Sequence, residues 1–260
     1  MRRIISEPQM LGVNVESHAR LDSHRQIIQR KRMIREVFAE FHHIMMNIDI
    51  ANFGDTAGVR IELGAGVYPI RESYPDVIAT DIVTDPHLDR VLDAQAMDLP
   101  SQSVRALFGQ NCFHHFPDPE TFFREARRVI KPGGGIVLID PYYGPVSSIV
   151  YKRLFTTETF DKAAPTWNAL SFDPQAKPNQ ALSYVVFVRD KAKFLSKFPE
   201  FEVLLLRPLP SYLRYVLSGG LNFRQLAPDS FIPMLKTMEK LMRPLAPLLA
   251  LHHVIALRRN

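Results

Sequence analysis

The sequence predicts an α/β fold built on a parallel sheet. Three observations carry this expectation. Short apolar runs alternate with loops and a helical pattern between residues 59 and 140. The first run closes on Gly64-Ala65-Gly66. Three of the runs end in acids, Asp81, Asp93 and Asp140, where open parallel sheets bind their ligands. With 260 residues, 46% of them hydrophobic, the chain can bury a sizeable core, and one folded unit with elaborations is expected. Composition excludes a disordered tail, a collagen repeat and a disulfide scaffold. Cys112 is the single cysteine, which points to a reducing, cytoplasmic setting. MRRIISEPQML has a basic flank without an apolar signal region. Pro244–Leu257, broken by His252 and His253, falls short of the ~20 residues of a membrane span.

Three parts are expected: an N-terminal arm and cap helix (1–58), a cofactor-binding core (59–140), and substrate-cover insertions with the last sheet strands (141–260). The net charge of +5 divides unevenly among them. The first part has 8 basic and 7 acidic residues, the second 8 and 12, the third 16 and 8. Twelve of the 20 prolines also lie after residue 140.

Along the chain, Asp22 or Ser23 can cap a helix running to about Met46, with Ile34, Val37, Phe38, Phe41 and Met45 on one stripe. Arg32 and Glu36 have the spacing of an ion pair. Arg30-Lys31-Arg32 reads as a solvated face or, less simply, as a nucleic-acid contact. Val59–Leu63, Asp76–Asp81, Arg90–Asp93, Val104–Gly109 and Gly135–Asp140 are the core strands. Asp118 at the N-cap and Pro119 at N1 start a helix that buries Phe122, Ala126, Val129 and Ile130. Lys131-Pro132-Gly133-Gly134 stops it. Later, Ala181–Val188, Phe201–Leu206 and His253–Leu257 read as strands. Ser211–Leu217 reads as a helix, and Asp229 as the cap of another that carries Phe231, Leu235, Met238 and Met242.

Glycines after a first strand let backbone approach a ligand closely. A pyrophosphate-binding turn needs G-x-G-x-x-G, whereas this turn reads GAGVYP, with Pro69 at the last position. Glu62 precedes the turn. Asp81 can accept from two ribose hydroxyls, and Asp93, beside Ala94, from an adenine amino group. Each acid could alone be a loop cap. Together they favour a nucleoside ligand without a pyrophosphate.

The segments IELGAG (61–66), ATDI (79–82), LDAQAMDLP (92–100), NCFHHFPDPETFFREARRVIKPGG (111–134) and IVLIDP (136–141) resemble, in order and spacing, the class I S-adenosylmethionine-dependent methyltransferases of the small-molecule type. The C-terminal segments are loosely similar to bacterial cell-envelope glycan or tailoring methyltransferases. The resemblance implies a Rossmann-like, seven-stranded, mostly parallel sheet with its last strand antiparallel. It implies that Glu62, Gly64, Ala65 and Gly66 surround the methionine part of S-adenosylmethionine. Asp81 would then hold the ribose, Ile82, Asp93 and Ala94 the adenine, and Gln110 and Asn111 the methionine amino group. Tyr68 stands where the family often has a third glycine.

Methyl transfer from a sulfonium needs mainly alignment of donor and acceptor. A hydroxyl acceptor also benefits from a base, and His114 and His115 follow the fourth strand, with Asp140 available to orient one of them. The expected reaction is therefore methylation of an oxygen on a small-molecule, glycan or lipid-linked acceptor, with a histidine base. Tyr142, Tyr143 and Trp167 belong to an aromatic, basic segment that reads either as an acceptor wall, suited to a bulky and even anionic molecule, or as the core of an insertion. Cys112 reads as a small buried residue, and no zinc motif is present. Other readings are an RNA-binding or RNA-modifying protein, suggested by the basic charge, and a peripheral membrane protein anchored through Phe231–Leu257. A nicotinamide dehydrogenase is disfavoured by GAGVYP.

Overall fold

A computed structural model of the chain describes residues 6–8, 18–156, 158–168, 177–210 and 212–260. Seven strands form one sheet in the order β3-β2-β1-β4-β5-β7-β6. β1 (Val59–Leu63), β2 (Val77–Asp81), β3 (Arg90–Val91), β4 (Val104–Gln110) and β5 (Ile130–Pro141) run parallel. β7 (His252–Arg259) is antiparallel to both β5 and β6 (Phe201–Pro208). The α/β architecture with an antiparallel last strand is therefore as expected.

The strand period of two sorts the core into two layers. On β4, Ala106 and Phe108 face one side and Leu107 the other; on β5, Val137 and Ile139 oppose Ile136 and Leu138. The helix Arg32–Phe53 covers the first side with Val37, Phe41 and Met45. The helix Pro119–Val129 covers the second with Phe122 and Phe123, the latter meeting Phe187, Phe194 and Phe201. Asp118 caps that helix, accepting from the N–H groups of Glu120 and Thr121. Its stop differs from expectation. β5 begins at Ile130, directly after the helix, so Lys131-Pro132-Gly133-Gly134 lies inside the strand.

Other expectations are also corrected. The N-terminal helix is two helices, His18–Arg30 and Arg32–Phe53, broken at Lys31. Asp22 lies within the first and pairs with Arg25 rather than capping it. Lys31 is buried, not solvated: its Nζ lies 2.8 Å from Glu7 Oε1 and donates to the carbonyls of Gly220 and Phe223. Arg32 does pair with Glu36, at 2.7 Å. Ala181–Val188 is helical, as Leu182–Tyr184 followed by a wide turn of π type over Val185–Arg189. A short apolar run buried on all sides looks the same in sequence whether strand or helix. Asp229 accepts from Gln225 Nε2, and the helix Ile232–Leu241 follows a 3₁₀ turn without a side-chain cap. Ser211 and Phe172 lie outside the described residues.

A buried carboxylate fastens the long helix to the sheet. Asp49 accepts from Arg60 on β1 at 2.9 Å and from Arg105 on β4, through Nε and Nη2, both at 2.9 Å. Removing it strands the mostly buried Arg105 guanidinium and leaves Arg60 with Asp76 alone. Asp49→Ala is therefore expected to lower unfolding free energy by about 2–4 kcal/mol in urea titration. Glu36→Ala, at a more open pair, is expected to cost under about 1 kcal/mol.

Candidate active site

A cavity of about 530 Å³ opens at the carboxyl ends of β1, β2 and β4. Its wall includes Gly64, Asp81, Ile82, Asp93, Ala94 and Asn111, six of the ten residues expected around a cofactor. Gly64 adopts φ +62°, and a Cβ there would stand 2.6 Å from Cys112 Cβ, so only glycine fits. Cys112 is buried, as expected, and burial pushes its thiol pKa well up. Asp81 accepts from Ile82 N–H at 2.7 Å and from Gly66 N–H at 3.3 Å, which fixes the carboxylate between the glycine turn and β2. Asp93 accepts from Gln95 N–H, so it caps its loop while facing the cavity.

The remaining four support this wall from behind. Glu62 is buried and accepts from Ile70 N–H at 2.7 Å, holding the segment after the glycine turn. Ala65 N–H donates to Thr80 O, and Gly66 N–H to Asp81. Gln110 ends β4 and leaves a buried Oε1 without a partner; Asn111, at φ 53°, leaves its Oδ1 in the same state. Tyr68, in place of a third glycine, turns back and stacks on His42 at 5.4 Å. No α-helix follows: only a 3₁₀ turn, Ile70–Glu72, fits between Pro69 and Pro75. The N-terminal helix closes the cavity with Leu21 and His24, and Arg25 ties it to Asp85.

A chain of charged groups occupies the inner end. His114, in the 3₁₀ turn after β4, hydrogen-bonds through Nδ1 to Asp140 Oδ1 at 2.8 Å. Its Nε2 lies 3.3 Å from Glu158 Oε2, and His115 Nε2 lies 3.5 Å from Glu158 Oε1. Gln180 Nε2 donates to Glu158 at 2.6 Å. Ligand atoms of His114, His115 and Glu158 lie within 4.8 Å of one another. Burial would lower the pKa of His114, but Asp140 and Glu158 together raise it to about 10. Glu158, although burial raises it, falls to about 2 through His114 and His115. At neutral pH His114 is thus a buried imidazolium between carboxylates. His115 and Glu158 reach the cavity wall, whereas His114 and Asp140 stand behind it.

Sequence reasoning brought His114 and Asp140 together but missed Glu158, Leu21 and His24. Glu158 sits in the polar run Thr156-Thr157-Glu158-Thr159, which has no period or motif to mark it. The aromatic residues fall elsewhere. Trp167 is buried, donating from Nε1 to Asp190 at 2.8 Å, and packs in the core. Tyr142 and Tyr143 pack on each other at 4.4 Å and on His253. Among the described residues, none of the three lines the cavity, nor does any lysine or arginine.

A sheet of this order, with a glycine turn after β1 and an acid closing β2, is a Rossmann-like α/β fold with a cavity at its strand ends. Residues 70–138 match the family model described as a methyltransferase domain. A curated relative, phosphoethanolamine N-methyltransferase 2 of Caenorhabditis elegans, is 26% identical over 215 residues. That match covers 74% of this chain, which spans about half the length of that relative (47%). Among solved structures, geranyl diphosphate C-methyltransferase from Streptomyces coelicolor A3(2), with Mg²⁺, geranyl diphosphate and S-adenosyl-L-homocysteine, aligns at TM-score 0.50 and 14% identity, covering 98% of this chain and 89% of that one. A geranyl diphosphate methyltransferase in complex with S-adenosylmethionine aligns at TM-score 0.50 and 11% identity, over 98% and 96%. These structural likenesses establish the fold. Residues 70–138 thus match a methyltransferase domain, and the fold around them is shared with methyltransferases solved with S-adenosylmethionine or its product.

Burial raises the Glu62 pKa from its ordinary 4.5 to about 8. The folded state therefore holds this proton more tightly than the unfolded one, and stability falls as pH rises from 4.5 to about 8. Glu62→Gln keeps an acceptor for Ile70 N–H and removes the titration. Its melting temperature, followed by calorimetry, is expected to fall less than wild type's over this range.

Proposed function

We propose that this protein transfers a methyl group from S-adenosylmethionine to a hydroxyl oxygen of a small-molecule acceptor, with His115 receiving the proton. One observation carries the reading: a single cavity is lined by Asp81, Asp93 and Asn111 and also by His115 and Glu158. The volume of about 530 Å³ lies in the usual range of ligand sites. The fit to the cofactor rests on the chemistry of the donors and acceptors. Asp81 accepts from the ribose hydroxyls, Asp93 from the adenine amino group, and Ile82 covers the base. The unpartnered oxygens of Gln110 and Asn111 suit a cationic amino group nearby. Glu62, Ala65 and Gly66 hold the turn in shape. When bound, the cofactor supplies an electrophilic methyl on a sulfonium.

The two histidines divide the work. His114 already carries both ring protons and accepts none, so it is a positioning residue that holds Glu158 in place. Asp140 fixes the His114 ring through Nδ1. His115 is half-exposed to the cavity, and the ionised Glu158 stabilises the imidazolium formed when it takes the acceptor proton. Absence of lysine and arginine from the described wall argues against an anionic acceptor. The phosphate-bearing acceptor named for the C. elegans relative is therefore not carried over.

Calorimetry is expected to show heat of binding with S-adenosylmethionine and none with NAD(H); no binding of the first overturns the assignment. In turnover assays, His115→Ala is expected to lower kcat by about 10²-fold or more with KM little changed. Glu158→Gln is expected to lower it less, and a chelator to leave it unchanged. Full activity in both His114→Ala and His115→Ala sinks the histidine role.

A further inference from the structure

Large exposed apolar side chains are concentrated on the cover. Of the fifteen recorded among the described residues, ten lie between Ile149 and Leu248. On the helix Ile232–Leu241, Ile232, Leu235 and Glu239 point inward. Met234, Met238 and Leu241, spaced i, i+4, i+7, form a second stripe that faces outward, and Leu241 is 75% exposed. Leu245 continues this stripe, and Leu248 follows on the helix Ala246–Leu249. That short helix packs on the helix Pro145–Arg153, which exposes Ile149. Leu154, Val216 and Leu226 line a small apolar cleft next along the surface, together with Phe155 and Phe223.

The charges around these residues have one sign. Lys152, Arg153, Arg224, Lys240 and Arg243 are exposed and form no ion pair among the described residues. Other surface cations are mixed: Lys236 of the same helix pairs with Glu36, Lys197 with Glu120 and Arg258 with Glu202, whereas Lys191, Lys193 and Arg207 form no ion pair among the described residues. No acid occurs in residues 141–157, and only Asp229 and Glu239 occur after residue 203. Asp229 holds Gln225, and Glu239 is buried on Arg214. No helix is long and apolar enough to cross a membrane.

We propose that this face docks on an anionic lipid bilayer, with Met234, Met238, Leu241 and Leu245 entering the headgroup boundary and Lys240, Arg243, Lys152 and Arg153 meeting lipid phosphates. Apolar side chains that stand in water with unmatched cations beside them are the pattern of a helix lying in a membrane interface. A protein partner of this chemistry needs an acidic rim; a second copy brings the same cations and repels. The inference does not depend on the methyltransferase reading.

Sedimentation of the full chain with phosphatidylcholine vesicles, with and without phosphatidylglycerol, tests it. Binding is expected with the anionic vesicles and is expected to weaken as salt rises. The double variant Met238→Ser, Leu241→Ser is expected to lose about tenfold in bound fraction at low lipid. Lys240→Gln with Arg243→Gln is expected to lose most of the preference for phosphatidylglycerol. All four positions are exposed, and unchanged melting temperatures verify that the variants fold. No sedimentation of wild type, or equal binding by the serine variant, overturns the proposal. So does a dimer in solution that the serine variant dissolves while vesicles bind neither form.

Discussion

Asp140 is fully buried at the carboxyl end of β5, and its charge is tolerable there because His114 lies 2.8 Å away. His114 is equally buried and takes its second carboxylate from Glu158, which belongs to the cover rather than the sheet. The imidazolium therefore joins two parts of the chain, beside Ser183, whose hydroxyl meets His253 Nε2 at 2.8 Å. β4 and β5 also converge here: Asn111 N–H donates to Ile139 O at 2.8 Å, which places the turn carrying His114 over the end of β5. The chemistry of the pocket and the seating of the cover thus rest on one set of charges.

That arrangement explains the division between the histidines. The two rings pack against each other, with centroids 4.3 Å apart, and both reach Glu158, but His114 is buried whereas His115 is half-exposed at the cavity wall. The buried ring is fixed by charge on both sides and is poorly suited to change protonation. The half-exposed ring has a carboxylate 3.5 Å away and solvent access.

Much of the sheet was legible because its residues obey local rules. The alternation on β4 and β5, the Asp118-Pro119 start and the Gly64 turn each follow from backbone and side-chain constraints that act over a few residues. The failures have a physical pattern. Val185-Val186-Phe187 is buried on all sides, so hydrophobicity has no period to separate helix from strand. Lys31 is buried because distant carbonyls at Gly220 and Phe223 receive it. Trp167 reads either as acceptor wall or as core of an insertion, and only its bond to Asp190 and its burial decide for the core. In the site, Asp81 and Asp93 were legible from their place at strand ends, and Asn111 only through the family resemblance. Glu158 was not, since its significance comes only from the fold that brings it to His114.

The buried Lys31 has a mechanical consequence. It stands at the break between the two N-terminal helices and grips Glu7, Gly220 and Phe223 together. The first of those helices closes the cavity with Leu21 and His24, while Gly220 belongs to the far cover. Lid and cover are consequently one lever with Lys31 as its pin. Widening the mouth of the cavity requires either that the cover swing with the helix or that this ammonium give up its partners at the cost of a bare buried charge.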